Sequence, residues 1–315
     1  MVLILGYIVV ASLVVYCSIK ASQYIDMLDK MTSLSGAFLG GVLLSAVTSL
    51  PELFTSISAT TLLHKPSLCI GNILGSNLFN VAVLAMCTLA AIRHFRKVRI
   101  TNGNILVTLF VLAIYVMLLL NMFNILNFEV ATVNIITLAI LALYVGGVRY
   151  LANEEGEECE ECIEHKLTKR QVVVRFIATS VAIVTLSIAM TYITDDIAST
   201  YNIGMGLAGA IFLGIATSLP EVSSTIALFR IKNYNIAVGN IVGSNLFNFL
   251  VLCIADVLCF SQSVYDFSDM KVVGLLEFGV LATVSMLPVL RSNKVCVKVA
   301  AAICVVACYI AFLVR

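Results

Sequence analysis

The pentapeptide Thr-Ser-Leu-Pro-Glu occupies residues 48–52 and returns at residues 217–221. In each copy the glutamate, Glu52 or Glu221, lies near the middle of a long apolar run. A charge at the centre of a bilayer costs at least about 2.5–3.5 kcal/mol, so such a residue reads as functional by default. Helical spacing brings further oxygens beside each carboxylate. Thr48 and Ser49 precede Glu52 by one helical turn, and Thr217 and Ser218 precede Glu221 in the same way. A second repeated stretch follows each pentapeptide. GNILGSNLFN at 71–80 and GNIVGSNLFN at 239–248 differ only at Leu74 and Val242. Within it Ser76 and Asn80 share a helix face, as do Ser244 and Asn248. Gly71 with Gly75, and Gly239 with Gly243, are small-xxx-small pairs that let helices approach closely.

The prolines add a second kind of ligand. Pro51 lacks the N–H that would bond the carbonyl of Val47, and its ring crowds the preceding turn; Pro220 does the same to Ala216. In hydrocarbon such oxygens need a cation, a polar helix or trapped water. One proline kink with a protonated glutamate is ordinary in a membrane helix. Two matched copies with paired asparagine helices point instead to an ion site. Every proposed ligand is oxygen, which suits a hard cation; Ca²⁺ takes six to eight oxygens at about 2.3–2.6 Å. Two carboxylates neutralise one Ca²⁺.

The elements that must position these residues are membrane helices. The chain has 315 residues, 61% of them hydrophobic and 12% charged, with a mean hydropathy of +1.05. Soluble domains run near 25% charged. Ten apolar spans are expected, at roughly 2–20, 34–63, 66–92, 104–121, 127–149, 171–193, 204–229, 235–260, 271–290 and 295–314. Of the 19 Lys and Arg residues, only Lys65, Lys271 and Arg315 fall outside the loops after spans 1, 3, 5, 7 and 9. Short loops rich in Lys and Arg face the cytoplasm. The expected protein is therefore a multi-pass cell-membrane protein with both termini outside and the loop at 150–170 inside. The first run lacks the basic flank and small-residue cleavage site of a signal peptide and reads as a retained span.

The repeated motifs fall on spans 2 and 3, then on spans 7 and 8. Five spans separate the copies, and five is odd, so they enter the membrane from opposite sides. The fold expected is all-α and polytopic, with ten transmembrane helices as two inverted five-helix repeats. Such repeats place transport sites near the bilayer midplane, on interrupted helices. The division expected is residues 1–150 for the first repeat, 151–170 for an acidic cytoplasmic linker and 171–315 for the second repeat.

These motifs resemble those of the Ca²⁺/cation antiporter superfamily, in its prokaryotic sodium/calcium exchanger branch. The resemblance implies an antiporter exchanging Ca²⁺ for Na⁺ by alternating access, with spans 1 and 6 sliding against the other eight. It implies Glu52 and Glu221 as central Ca²⁺ ligands, Ser49, Ser218, Ser76 and Ser244 as Na⁺-site hydroxyls, and Asn80 as a further ligand. It matches Thr48, Thr217, Ser45 and Gly214 to positions that offer main-chain carbonyls. Three positions depart from the family pattern: Val47 and Ala216 where glycine is usual, and Asn248 where several exchangers carry aspartate. Driving by H⁺ through the same carboxylates is the alternative, and a cation channel is a more distant one.

An enzyme is not expected: no intramembrane His pairs with these serines. Nor is a resident cofactor or a nucleic-acid partner, since Ca²⁺, Na⁺ or H⁺ and membrane lipid suffice, and one chain completes the site as a monomer. The ten cysteines suggest no disulfide framework, and the eight in or beside apolar runs read as small buried hydrophobes. The segment 153–166 carries seven glutamates and reads as a solvated linker; the spacing of Cys159, Cys162 and His165 is a weak metal signal.

Overall fold

The computed structural model describes residues 2–61, 66–126, 129–130, 133–154, 167–200, 207–258 and 264–315. The architecture is all-α, with ten transmembrane helices in two inverted five-helix repeats. Span 1 is Val2–Met31, span 3 Pro66–Ala90, span 4 Asn102–Met122 and span 5 Ile135–Asn153. Span 6 is Lys169–Thr200, span 7 Leu207–Arg230, span 8 Tyr234–Leu258, span 9 Met270–Arg291 and span 10 Val295–Val314. Span 2 is a broken pair, Gly36–Thr48 and Leu50–Thr61, bent by 41°. Among the described residues the only strands are a two-residue pair, Glu129–Val130 with Val133–Asn134, ahead of span 5.

Spans 1 and 6 run well past the expected ends at 20 and 193. Beyond the apolar stretch of span 1 the helix continues through a polar turn, where Lys30 Nζ meets Asp26 Oδ2 at 2.7 Å, an i,i+4 pair. These two long helices pack against each other along their length. In the most apolar stretch of span 1 only 11% of residues are buried, and in span 6 only 22%; spans 3 and 8 reach 67% and 78%. The motif helices therefore form the centre, and spans 1 and 6 a lipid-facing pair beside it. Span 10 is also peripheral, so Cys296 and Cys304 are exposed, against the expectation for Cys304 of burial as a small hydrophobe.

The break in span 2 is richer than a proline kink. Leu39–Leu44 forms a π-helical stretch, and Ser49 leaves the helical region at φ −92°, ψ 4° before Pro51. A π turn is a common marker of functional sites in helices. The bulge brings Gly40 and Gly41 against the backbone of span 8. A Cβ on Gly40 would collide with the Ile236 carbonyl oxygen, and one on Gly243 with that of Gly41. Span 7 runs as one helix with Pro220 inside it. The two motif helices therefore differ: span 2 is broken, whereas span 7 is one helix, and in span 2 the Gly-Gly pair and the backbone of span 8 favour the π turn.

The ends of the spans sort onto two faces. On one, Asn233 Nδ2 donates to Asp26 Oδ1 and Asp29 Oδ2 at 2.9 and 2.8 Å, and Asn235 Oδ1 accepts from Thr101 N at 3.1 Å. There too Gly103 N donates to Glu154 Oε1 at 3.0 Å, tying the ends of spans 4 and 5. On the other, Asp256 accepts from Asn134 N and Thr137 Oγ1, and Arg315 pairs with Glu277. The first face gathers the ends that carry the basic loops. Lys298 is an exception: it is buried inside span 10 rather than exposed in a loop.

Gly243→Ala should destabilise the protein by about 1–3 kcal/mol, because the added methyl meets backbone that cannot rotate away. Gly6→Ala, where nothing lies within 4 Å, should leave stability unchanged. Thermal unfolding of both variants in detergent checks the contrast; equal midpoints would show that the two backbones are not in this contact.

Candidate cation site

Glu52 and Glu221 come together at the bundle centre, each 1% exposed. The repeats exchange hydroxyls across the pseudo-twofold axis. Ser49 Oγ donates to Glu221 Oε1 at 2.9 Å, and Ser218 Oγ donates to Glu52 Oε1 at 3.3 Å. Thr217 and Ser76 also reach Glu52, and Thr48 reaches Glu221. Ser76 Oγ lies 3.4 Å from Ser218 Oγ, and Thr48 Oγ1 lies 3.4 Å from Ser244 Oγ. The bend in span 2 positions Glu52 by leaving it in the first turn of Leu50–Thr61.

Below the carboxylates lies a lattice of four amides. Asn77 Nδ2 donates to the Asn245 carbonyl at 3.3 Å, and Asn245 Nδ2 returns a bond to the Asn77 carbonyl at 3.1 Å. Asn80 Nδ2 donates to Asn245 Oδ1 at 3.1 Å; Asn248 Nδ2 donates to Asn77 Oδ1 at 2.9 Å. All four are buried, and Tyr115 of span 4 also bonds Asn77. Asn80 and Asn248 thus each donate one N–H to the lattice, and among the described residues their own side-chain oxygens accept nothing.

The consequence is a set of four matched acceptors. Glu52 Oε2, Glu221 Oε2, Asn80 Oδ1 and Asn248 Oδ1 are all buried and have no hydrogen-bond partner among the described residues. A buried polar oxygen without a partner costs on the order of 1–3 kcal/mol, more for a charged one. Two of these oxygens belong to neighbouring carboxylates and could hold a cation together, and the two amide oxygens are further candidate ligands. Among the described residues no three His, Cys, Asp or Glu side chains cluster, so a metal held here takes two carboxylates and completes its shell with neutral oxygens.

The sequence-predicted residues divide accordingly. Glu52, Glu221, Ser49, Ser218, Thr48, Thr217, Ser76, Ser244, Asn80 and Asn248 all lie in this assembly. The Ser45 carbonyl accepts from Ser49 N at 3.0 Å and from Thr48 Oγ1 at 3.3 Å, so both its lone pairs are used within span 2. Gly214 lies on span 7, where the surroundings of residues 207–216 are outside the described part, and the linker residues Cys159, Cys162 and His165 also lie outside it. Sequence reasoning missed Asn77 and Asn245. Both stand in the repeated GSN tripeptide, one turn from residues already singled out. It also missed Asn240, which donates to Thr225 at 3.3 Å and lies 3.4 Å from Thr48.

The model of the family described as "Sodium/calcium exchanger protein" matches residues 2–150 and 171–315. The chain belongs to that family, a family of transporters. Its sequence is similar to the inner membrane protein YrbG of Escherichia coli (strain K12), 26% identical over 257 residues, 76% of this chain and 74% of that protein. It is also 24% identical over 217 residues, 68% of each chain, to an uncharacterized membrane protein of Methanocaldococcus jannaschii, MJ0091. Solved structures of the sodium-calcium exchanger NCX_Mj share the fold. One soaked with 10 mM Na⁺ and 10 mM Sr²⁺ has a TM-score of 0.76 at 21% identity, covering 100% of this chain and 98% of that one. Another, soaked with 10 mM Na⁺ and no Ca²⁺, has 0.75 at 19%, covering 100% and 99%.

The amide lattice yields a stability test. Asn77→Ala strands the Asn248 donor, and Asn245→Ala strands the Asn80 donor, so each should cost about 1–3 kcal/mol. Denaturant unfolding in cation-free detergent measures it. A variant as stable as the parent would show that these amides do not join the repeats.

Proposed function

We propose that the chain is a secondary antiporter that moves Ca²⁺ in exchange for Na⁺ across the cell membrane by alternating access. The observation that carries the reading is the group of four buried, unpartnered oxygens on Glu52, Glu221, Asn80 and Asn248. Two ionised carboxylates balance one Ca²⁺, and the amide oxygens add neutral ligands of the hard type that this ion takes. Ser49, Ser218, Ser76 and Ser244 surround the carboxylates and supply hydroxyls at Na⁺ sites. The two loads then compete for the same pair of charges, which is the basis of exchange.

Alternating access follows from the division of the bundle. The central spans hold the ions, and spans 1 and 6 move against them. The two parts are joined in part by polar contacts that can be remade: Ser22 Oγ donates to the Ser224 carbonyl at 3.4 Å, and Asn233 joins Asp26 and Asp29. The basic loops face the cytoplasm in this reading, both termini face outward, and the segment 151–170 links the repeats on the inner side. One chain completes the site, acts as a monomer and catalyses no covalent step.

The test is ⁴⁵Ca²⁺ uptake into proteoliposomes under imposed gradients. Uptake should follow a Na⁺ gradient and be indifferent to a proton gradient of equal size; the reverse would assign the drive to H⁺, and uptake without any counterflow would indicate a channel. Glu52→Gln and Glu221→Gln should each abolish exchange, because removing one partner of a buried charge assembly costs about 3–5 kcal/mol, roughly a hundredfold or more in affinity. Near-normal exchange by either inserted, folded variant would remove its carboxylate from the site.

A further inference from the structure

Far from the carboxylates, at the face that gathers the basic loops, lies a cavity of about 340 Å³. The loop between spans 3 and 4 and the turn between spans 9 and 10 enclose it. Its polar wall is made by Arg99, Asn102, Arg291, Ser292, Asn293 and Lys298. The volume falls in the range of small-molecule sites.

Lys298 sets this cavity apart from an ordinary basic surface. The residue is only 2% exposed and is among the largest fully buried side chains of the protein. Its Nζ lies 4.8 Å over the ring of Phe95, which is itself fixed by Phe229 and Tyr234. Among the described residues its side chain makes no hydrogen bond and no ion pair: the two ion pairs join Lys30 to Asp26 and Arg315 to Glu277, both elsewhere. Its side chain is packed away while the ammonium borders the cavity, and the aromatic face answers only part of its charge. Arg99 and Arg291, both exposed, add two further cations to the same wall, again with no acidic partner. The Glu154 carboxylate accepts from Gly103 N and is not among the residues that line the cavity.

We propose that this cavity is a binding site for a phosphate-bearing anion, with Lys298, held over Phe95, as the inner point charge and Arg99 and Arg291 as the outer clamp. Guanidinium forks match phosphate oxygens, and an ammonium complements them as a compact charge. The site lies at the end of the membrane spans, where lipid headgroups lie, and is large enough for a phosphate that carries an organic substituent. A headgroup phosphate and a free phosphate share this chemistry. The inference is independent of which ions the central site carries.

The experiment is thermal unfolding of the purified full chain with two probes, against ionic-strength-matched chloride. One arm titrates inorganic phosphate in a neutral detergent. The other titrates phosphatidylglycerol into phosphatidylcholine nanodiscs. A saturable rise of the midpoint is expected in at least one arm. A response to phosphatidylglycerol alone assigns the site to a headgroup; a response to both assigns it to phosphate however carried. Lys298→Met, which keeps the length of the side chain, and Arg291→Gln should each raise the half-saturating concentration about tenfold. Arg230→Gln, on another exposed end of the same face, should not. No saturable response of the parent in either arm overturns the proposal. So does parental affinity in the Lys298 variant, or an equal loss in the Arg230 control. Should Lys298→Met fail to fold, Arg291→Gln decides alone, and parental affinity in that variant is equally fatal.

Discussion

Two carboxylates buried at the centre of a membrane bundle set the terms for the rest of this structure. Glu52 and Glu221 are too close to ignore each other and too deep for water to screen them. When ionised they need positive charge beside them, and among the described residues no Lys or Arg lies in the assembly. Hydroxyls answer part of the demand by donating to one oxygen of each carboxylate, while the second oxygen stays open. A site that satisfied every oxygen internally would have no room for cargo. This one stops halfway on both repeats, at corresponding atoms.

That half-satisfaction requires a rigid surround. The four asparagines supply it, since Asn77, Asn80, Asn245 and Asn248 each donate a side-chain N–H to the opposite repeat. Without a hydrophobic driving force between helices in lipid, packing and such interhelical bonds hold the bundle together. The glycines complete it by letting the π-helical stretch of span 2 lie directly on the backbone of span 8. The same contact explains why the first repeat breaks and the second runs continuous. One backbone must bulge toward the other, and the Gly40–Gly41 pair makes that cheapest in span 2.

Much of this was legible in the sequence. The duplicated pentapeptide and decapeptide revealed the repeat, the odd number of intervening spans revealed its inversion, and the distribution of Lys and Arg sorted the loops onto two faces. The carboxylates and hydroxyls were legible because charge in an apolar run is conspicuous. Asn77 and Asn245 were not, because a neutral amide beside a glycine-serine pair carries no comparable signal, and their role depends on a partner 168 residues away. The extension of spans 1 and 6 was hidden by charged residues, such as Asp26 and Lys30, that continue a helix beyond the hydrocarbon. Lys298 misled for a related reason: a lysine near a span end reads as a loop residue, yet four positions into span 10 it turns inward onto Phe95.

The central claim is that Glu52 and Glu221 jointly hold one divalent cation, and crystals soaked in Sr²⁺ would test it most directly. Strontium stands in for Ca²⁺ and scatters anomalously. A single anomalous peak is predicted between Glu52 Oε2 and Glu221 Oε2, with Asn80 Oδ1 and Asn248 Oδ1 in or next to its shell. A peak that touches only one glutamate, or none at this position at saturating Sr²⁺, would contradict the account.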